Sequence, residues 1–395
     1  MSSVPGSAGI YTRGIFILGA GFSRAAGLPL GNELWKEVLR RALSMEGKGY
    51  AFAKFREDLD EYLEFKKRCD GQELTYASVD FEEFLGFLDI EHHLGLRGAD
   101  TWSDDGNEGQ VLIKALIGQI LTERTPEGQK IPEVYLDFAR KLKPRDRIIT
   151  FNYDILLERA LEAGGVAYRL YPDRFLSVDP RSGGSIDVSR DEVVVLKVHG
   201  SVDWFDKRSF WRLKEQARAD GFPAYSPHDP MFNSSKKLTV IPLAEGPRPT
   251  DDPLRDILRL IEVKPFYADP PWFETSPTLI NPSTAKAVYS AKFGDFWRGL
   301  AYTGQASSRM TIIGNSLPQH DDYARQVVYR LVKNYQDDAL ETLLPNVRPK
   351  SPLLIVDCLQ GETQRTDFSR RYSFVDWDRA VLCASGFDED AVSRL

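Results

Sequence analysis

The chain has 395 residues, 51 Lys and Arg against 58 Asp and Glu, a formal net charge of −7, and 42% hydrophobic residues. That length exceeds one simple core and suits a large domain with inserted modules. The acidic balance speaks against a chain that coats nucleic acid, and the three scattered cysteines, Cys69, Cys358 and Cys383, exclude a four-cysteine zinc ribbon and point to a reducing compartment.

Met1 to Ser7 has neither the basic nor the apolar region of a signal peptide, and no apolar run approaches membrane-spanning length. The expectation is a soluble, cytoplasmic protein without membrane contact or direct nucleic-acid binding. Ile15 to Leu18 is a short apolar run bounded by glycines, which reads as a buried parallel strand. Gly19-Ala20-Gly21 then predicts a tight turn where backbone approaches a ligand closely. Ser23 reads as the N-cap of a short helix whose amides face an anion. Strand, turn and helix start together resemble a nucleotide phosphate site. The third glycine of the dinucleotide fingerprint is replaced by Arg24, and no strand ending in an acid follows about 20 residues on, which disfavours a hydride-transferring dehydrogenase. A helix is predicted over 32–44, with Leu34, Trp35, Val38 and Leu39 on one face.

Residues 45–145 read mostly as helices. Asp80 and Glu83 form a capping box, His92 and His93 fall at a helix end as dipole partners, 98–108 is a loop, and Val111–Leu121 and Val134–Leu142 are further helices. This stretch is taken as a helical insert that walls a cleft. Arg147 to Phe151 is a second strand, followed by the turn Asn152-Tyr153-Asp154 and a helix from Ile155 to Ala163 closed by Gly164-Gly165. Residues 172–190 read as a loop, and Glu192 to Val198 as a third strand that runs into His199-Gly200-Ser201. Residues 205–290 are irregular and rich in proline and aromatics, around Phe266, Tyr267, Trp272 and Phe273. Phe293–Thr303 is predicted helical, Met310–Ile313 a fourth strand before Gly314-Asn315-Ser316, Asp322–Leu344 a long helix, and Leu353–Val356 a fifth strand ending at Asp357. The tail 361–395 has no legible pattern. The fold class expected is α/β, a parallel Rossmann-like sheet with helices on both faces plus a helical inserted module. It reads as a single domain over 1–395, with its core in 14–44, 146–204 and 291–360.

Four strands thus end in glycine or polar turns. In a parallel sheet, strand–turn–helix order brings all four turns to the carboxyl edge, where ligands bind. Taken singly, each has an ordinary alternative. Asn152 and Asp154 suit a helix cap, His199 a buried histidine, and Gly314 a plain turn.

Together these motifs resemble the sirtuins. Gly19-Ala20-Gly21-Phe22-Ser23 with Gly27-Leu28-Pro29 is similar to the family's Gly-Ala-Gly-x-Ser…Gly-Ile-Pro. Thr150 to Asp154 is similar to its Thr-Gln-Asn-x-Asp, Val198-His199-Gly200 to its catalytic His-Gly, and Gly314 to Leu317 to its Gly-Thr-Ser-Leu. The zinc ribbon is missing, the Gln before Asn152 is Phe151, and Pro-Asp-Phe-Arg is Pro29-Leu30-Gly31-Asn32. Ser316 to Asp321, after Pro282, Lys286 and Trp297, is similar to the bacterial sirtuin-like branch of antiviral defence, which consumes NAD.

The resemblance implies an NAD glycohydrolase with NAD as substrate and no metal. Asn152 and His199 are then catalytic. Asn152 orients the ribose or the attacking water, and His199 takes a proton. Gly19, Ala20, Gly21, Phe22, Ser23, Arg24, Asp154, Gly314, Asn315, Ser316 and Asp357 are then NAD-binding, with Arg24 complementing phosphate. A protein deacylase or ADP-ribosyltransferase, or a non-catalytic NAD-sensing module, is the alternative. The family context further suggests a homo-oligomer and a separately encoded ATPase or DNA translocase, or an Argonaute-like protein, as partner.

Overall fold

Short runs of Ile, Leu and Val without helical period become strands buried on both faces. The computed structural model describes residues 13–45, 50–98, 105–179, 184–208, 219, 238–268, 276–281, 290–337 and 349–395. Strand β1 (Arg13–Leu18) leads through the five-residue helix α1 (Ala20–Arg24) into α2 (Gly31–Ser44). Helices α3 (Tyr50–Asp70), α4 (Phe81–Leu94), α5 (Glu108–Arg124) and α6 (Glu133–Lys141) follow. Next come β2 (Arg147–Thr150), α7 (Leu156–Ala163), β3 (Tyr168–Arg169), β4 (Phe175–Ser177), β5 (Ser185–Ile186) and β6 (Val193–Lys197). Strands β7 (Trp204–Asp206), β8 (Val240–Pro242) and β9 (Ile257–Leu260) precede the short helices α8 (Val263–Ala268) and α9 (Gly294–Trp297). The chain continues through β10 (Ser307–Ile313), α10 (Asp322–Gln336), β11 (Leu353–Val356), α11 (Gly361–Arg371), β12 (Ala380–Cys383) and α12 (Glu389–Ser393).

Seven strands form one parallel sheet in the order β12-β11-β10-β1-β2-β6-β3. From β1 the chain winds toward β2 and β6, and from β10 it winds the other way. Right-handed crossovers in opposite directions put their helices on opposite faces of the sheet, giving a doubly wound, Rossmann-like α/β fold. The winding reverses between β1 and β10, which leaves a crevice at their carboxyl ends. Register makes that edge level. Leu18 pairs with both Ile313 and Thr150, Thr150 with Lys197, and Ile313 with Val356. Gly19, Phe151, Val198, Gly314 and Asp357 therefore follow in one row.

The helical module rests on α2. Trp35 stacks on Phe81 of α4 at 5.2 Å and lies 6.3 Å from Phe55 of α3. Asp80 caps α4 through the amides of Glu82 and Glu83, but Glu83 turns to the Tyr62 hydroxyl and Lys66, so the box is half formed. No helix among the described residues is long and apolar enough to cross a membrane.

Several expectations are corrected. The 172–190 loop contains the β4–β5 hairpin, and the irregular 205–290 stretch contains a three-stranded antiparallel sheet, β7-β9-β8. These strands are two to four residues long, too short to carry a visible period. The 293–303 helix is broken into single turns, because Gly299 takes φ +69 between them. The long helix ends at Gln336, and 338–344 lie outside the described residues, as do Pro282, Lys286, Trp272 and Phe273. The unpatterned 361–395 segment supplies the seventh strand and two helices. Ser23 does not cap α1. Gly19 holds the N-cap position, and Ser23 is buried within the helix.

At the crevice the glycines touch one another. A Cβ on Gly19 would lie 2.5 Å from the Gly314 carbonyl oxygen, and one on Gly314, at φ +58, would lie 2.4 Å from Gly21 Cα. Gly314→Ala is expected to lower stability by roughly 1–3 kcal/mol, measured by chemical denaturation. Wild-type stability in that variant would show that the two turns are free to separate.

Candidate active site

The row of strand ends surrounds a cavity of about 180 Å³. Gly19, Ala20 and Ser23 line it from β1–α1, and Phe151, Asn152, Tyr153 and Asp154 from the turn after β2. His199 enters from β6, Asn315, Ser316 and Asp321 from the β10 side, and Leu34, Phe81 and Glu82 from the helical module.

Asn152 is 9% exposed. Its Nδ2 donates to the Gly19 carbonyl at 2.9 Å and to Ser23 Oγ at 3.2 Å. A carbonyl only accepts, so the side-chain nitrogen must face it. Oδ1 is left as the acceptor for a ligand. Ser23 Oγ in turn donates to Asp154 Oδ2 at 2.9 Å, while Asp154 Oδ1 accepts the Leu156 amide at 3.0 Å. Asp154 thus locks the turn just ahead of α7, whose N-cap position is Ile155. Behind it the fully buried Lys197 ammonium donates to the Asp154 carbonyl and to Glu158 Oε1, 2.8 Å away. Burial pushes the Glu158 carboxyl up.

His199 is 4% exposed and lies between Phe151, at 5.2 Å and 69°, and Tyr153, at 6.2 Å. Its carbonyl accepts the Ile280 amide at 2.9 Å. The next residue must be glycine, since a Cβ on Gly200, at φ +83, would meet the Thr278 oxygen at 1.9 Å. The chain's own 278–281 segment is thereby docked on the His-Gly turn, and the Tyr153 hydroxyl donates to Ile280 O at 2.7 Å. Burial holds the Tyr153 phenol far above its ordinary range, so it stays neutral. Asp321 was not among the sequence candidates. It is fully buried, with Oδ2 3.0 Å from His199 Nε2. Its signal was its place just after the Gly314–Ser316 turn, but in sequence it reads as the cap of α10, which it also is.

The other candidates divide. Gly19 lines the cavity and, with Gly21, also meets the Gly314 turn, where the Gly21 amide donates to Gly314 O at 2.9 Å. Phe22 is buried among Tyr135, Phe138 and Phe387 and belongs to the core. Arg24 sits at the exposed end of α1, paired with Glu33, and does not line the cavity. Asn315 Oδ1 accepts the Leu317 amide at 2.9 Å within its own turn. From the tail, Tyr372 donates to Asn315 O and Arg371 to Ser316 O, each at 2.7 Å. Asp357 stands at the end of β11 outside the cavity lining, its carboxyl raised by burial although Arg371 opposes this. Among the described residues the lining holds three carboxylates, Glu82, Asp154 and Asp321, and no Lys or Arg. Three acids reach metal-ligand spacing nowhere in it. Among the described residues that spacing occurs at Cys383, Asp388 and Asp390, beyond the crevice.

Lys197→Met would leave Glu158 buried without its cation. A stability loss of about 3–5 kcal/mol is expected, and the double change with Glu158→Leu should recover most of it in denaturant melts.

A family model described as a SIR2-like domain matches residues 146–217, a span that includes β2, the Asn152 turn, β6 and His199-Gly200. No curated protein matches the chain. Among solved structures, Sir2Tm bound to a propionylated peptide aligns over 97% of this chain and 91% of its own, at 12% identity and TM-score 0.31. A structure described under the mechanism and regulation of Sir2 enzymes aligns over 98% and 94%, also at 12% identity and TM-score 0.31. The segment that carries Asn152 and His199 is thus similar in sequence to the SIR2-like family.

Proposed function

We propose that the protein is an NAD glycohydrolase that splits NAD into nicotinamide and ADP-ribose. The observation that carries this reading is the convergence of the Asn152 amide and the His199 imidazole on one carboxylate-lined cavity at the sheet's switch point. Cleavage of the bond between the ribose C1′ and the cationic ring nitrogen passes through an oxocarbenium-like state. The electron pair leaves with nicotinamide. Asp154 and Glu82 favour the positive charge that builds on the sugar, and Asn152 Oδ1 accepts from a ribose hydroxyl or from water. His199 takes the proton of the water that attacks C1′. A volume of about 180 Å³ is below the roughly 300–1,000 Å³ of ordinary ligand clefts. It suits the reacting ring and sugar, with the rest of the dinucleotide outside along the Gly314–Ser316 turn.

Hydrolysis is favoured over transfer to a protein acyl-lysine because residues 278–281 already occupy the flank of the His-Gly turn. In the cell we place this activity in anti-phage defence by NAD depletion, gated by self-assembly or by a separately encoded partner. Nicotinamide release from NAD by purified protein tests the reaction, alone and with the product of a neighbouring gene.

His199→Ala is expected to keep the fold and NAD binding while turnover falls ~10²–10⁴-fold. Unchanged turnover in a folded variant would remove His199 from the chemistry. Asn152→Ala should also abolish turnover, with a melting shift limited to the loss of its bonds to Gly19 and Ser23, about 1 kcal/mol each.

A further inference from the structure

We propose that Asp321 is the positioning residue of His199. Its carboxylate holds the imidazole with Nε2 protonated and Nδ1 bearing the lone pair, and stabilises the imidazolium once His199 has taken a proton. The proposal rests on the reaction assigned to His199 above.

Asp321 is fixed on every side. Its Oδ1 accepts the Ala324 amide at 2.8 Å, its backbone N–H donates to Pro318 O at 3.2 Å, and its carbonyl accepts the Arg325 amide at 3.0 Å. Oδ2 is thereby aimed at His199 Nε2, 3.0 Å away, in ion-pair reach though not aligned as a settled hydrogen bond. Such contacts tighten when a substrate fills a site. The loop that delivers Asp321 is strained. Leu317, 2% exposed, takes φ +47, a conformation a branched apolar residue adopts only where the surroundings enforce it. A cap alone needs neither the strain nor the second oxygen, because Asn or Ser caps a helix as well as Asp does. What Asp adds is charge at the imidazole. A base oriented by a third group is the arrangement that activates proton transfer.

Among the described residues, the other titratable groups lining the cavity with His199 are Tyr153 and Asp154 on the turn after β2 and Glu82 on α4, and Asp89 of α4 acts on Tyr153 and bonds Asn281. The docked residues Thr278 to Asn281 add none. Tyr153 is neutral, and Asp154 is committed to Ser23 and Leu156. Of these carboxylates, Asp321 has an oxygen in ion-pair reach of the imidazole, at 3.0 Å.

The test is an NMR titration of the chain's five histidines, with His199 assigned by its loss in His199→Ala. Asp321→Asn keeps the cap and removes the charge. A carboxylate favours the imidazolium, so the His199 midpoint should fall by about one pH unit and the Nε2–H tautomer should lose its dominance. Melting should stay near wild type, and kcat for NAD cleavage should fall ~10²-fold or more with KM within a few-fold. Asp321→Ser, which caps with a hydroxyl, gives the same readings should the Asn variant fold poorly. A His199 midpoint and tautomer unchanged in both variants would overturn the proposal. Wild-type protein that leaves NAD intact would sink the glycohydrolase reading alone, since the titration still decides the Asp321–His199 pair.

Discussion

Backbone meets backbone where β1 and β10 end, and the site hangs from that contact. Gly19 and Gly21 lie against Gly314 at distances no Cβ permits, and the Gly21 amide is bonded to the Gly314 carbonyl. The two glycines of the Gly-Ala-Gly run therefore join two halves of the sheet, while Gly19 and Ala20 also line the cavity. The Gly19 carbonyl, fixed in this way, orients Asn152, and Asn152 engages Ser23 and through it Asp154. A residue bulkier than glycine at any of the three positions would move the whole chain of hydrogen bonds.

Charge is arranged in two layers. Carboxylates face the cavity, and the cation Lys197 is sealed beneath the turn that carries Asn152. Burying such a pair contributes little net stability. Its effect is geometric, because the ammonium holds the Asp154 carbonyl from below while Ser23 holds the side chain from above.

The central strands and their turns were legible because a strand buried on both faces is a plain apolar run, and parallel winding then dictates which ends meet. Ile15–Leu18 and Val193–Lys197 are of this kind. Edge elements were not legible. The pair Tyr168–Arg169 and the hairpin at Phe175 and Ser185 are too short for alternation to appear, and Ala380–Cys383 is a run of only four residues after Asp378-Arg379. At the site, residue type alone does not give reach. Arg24 has the charge for a phosphate, but α1 is only five residues long and carries it out to Glu33. Asp321 has the spacing of a cap, and nothing in one sequence tells a cap from a cap that also touches an imidazole.

Tyr372 and Arg371 close on the carbonyls of Asn315 and Ser316, and β12 completes the sheet beside β11. A ribosome makes Gly19 first and these residues hundreds of codons later. While the chain is still being elongated, β1, β2, β6 and β10 exist without the clamp that sets the last wall of the crevice. The wall of the crevice at Asn315 and Ser316 is thus fixed only once Arg371 and Tyr372, far downstream of Gly19, have been made.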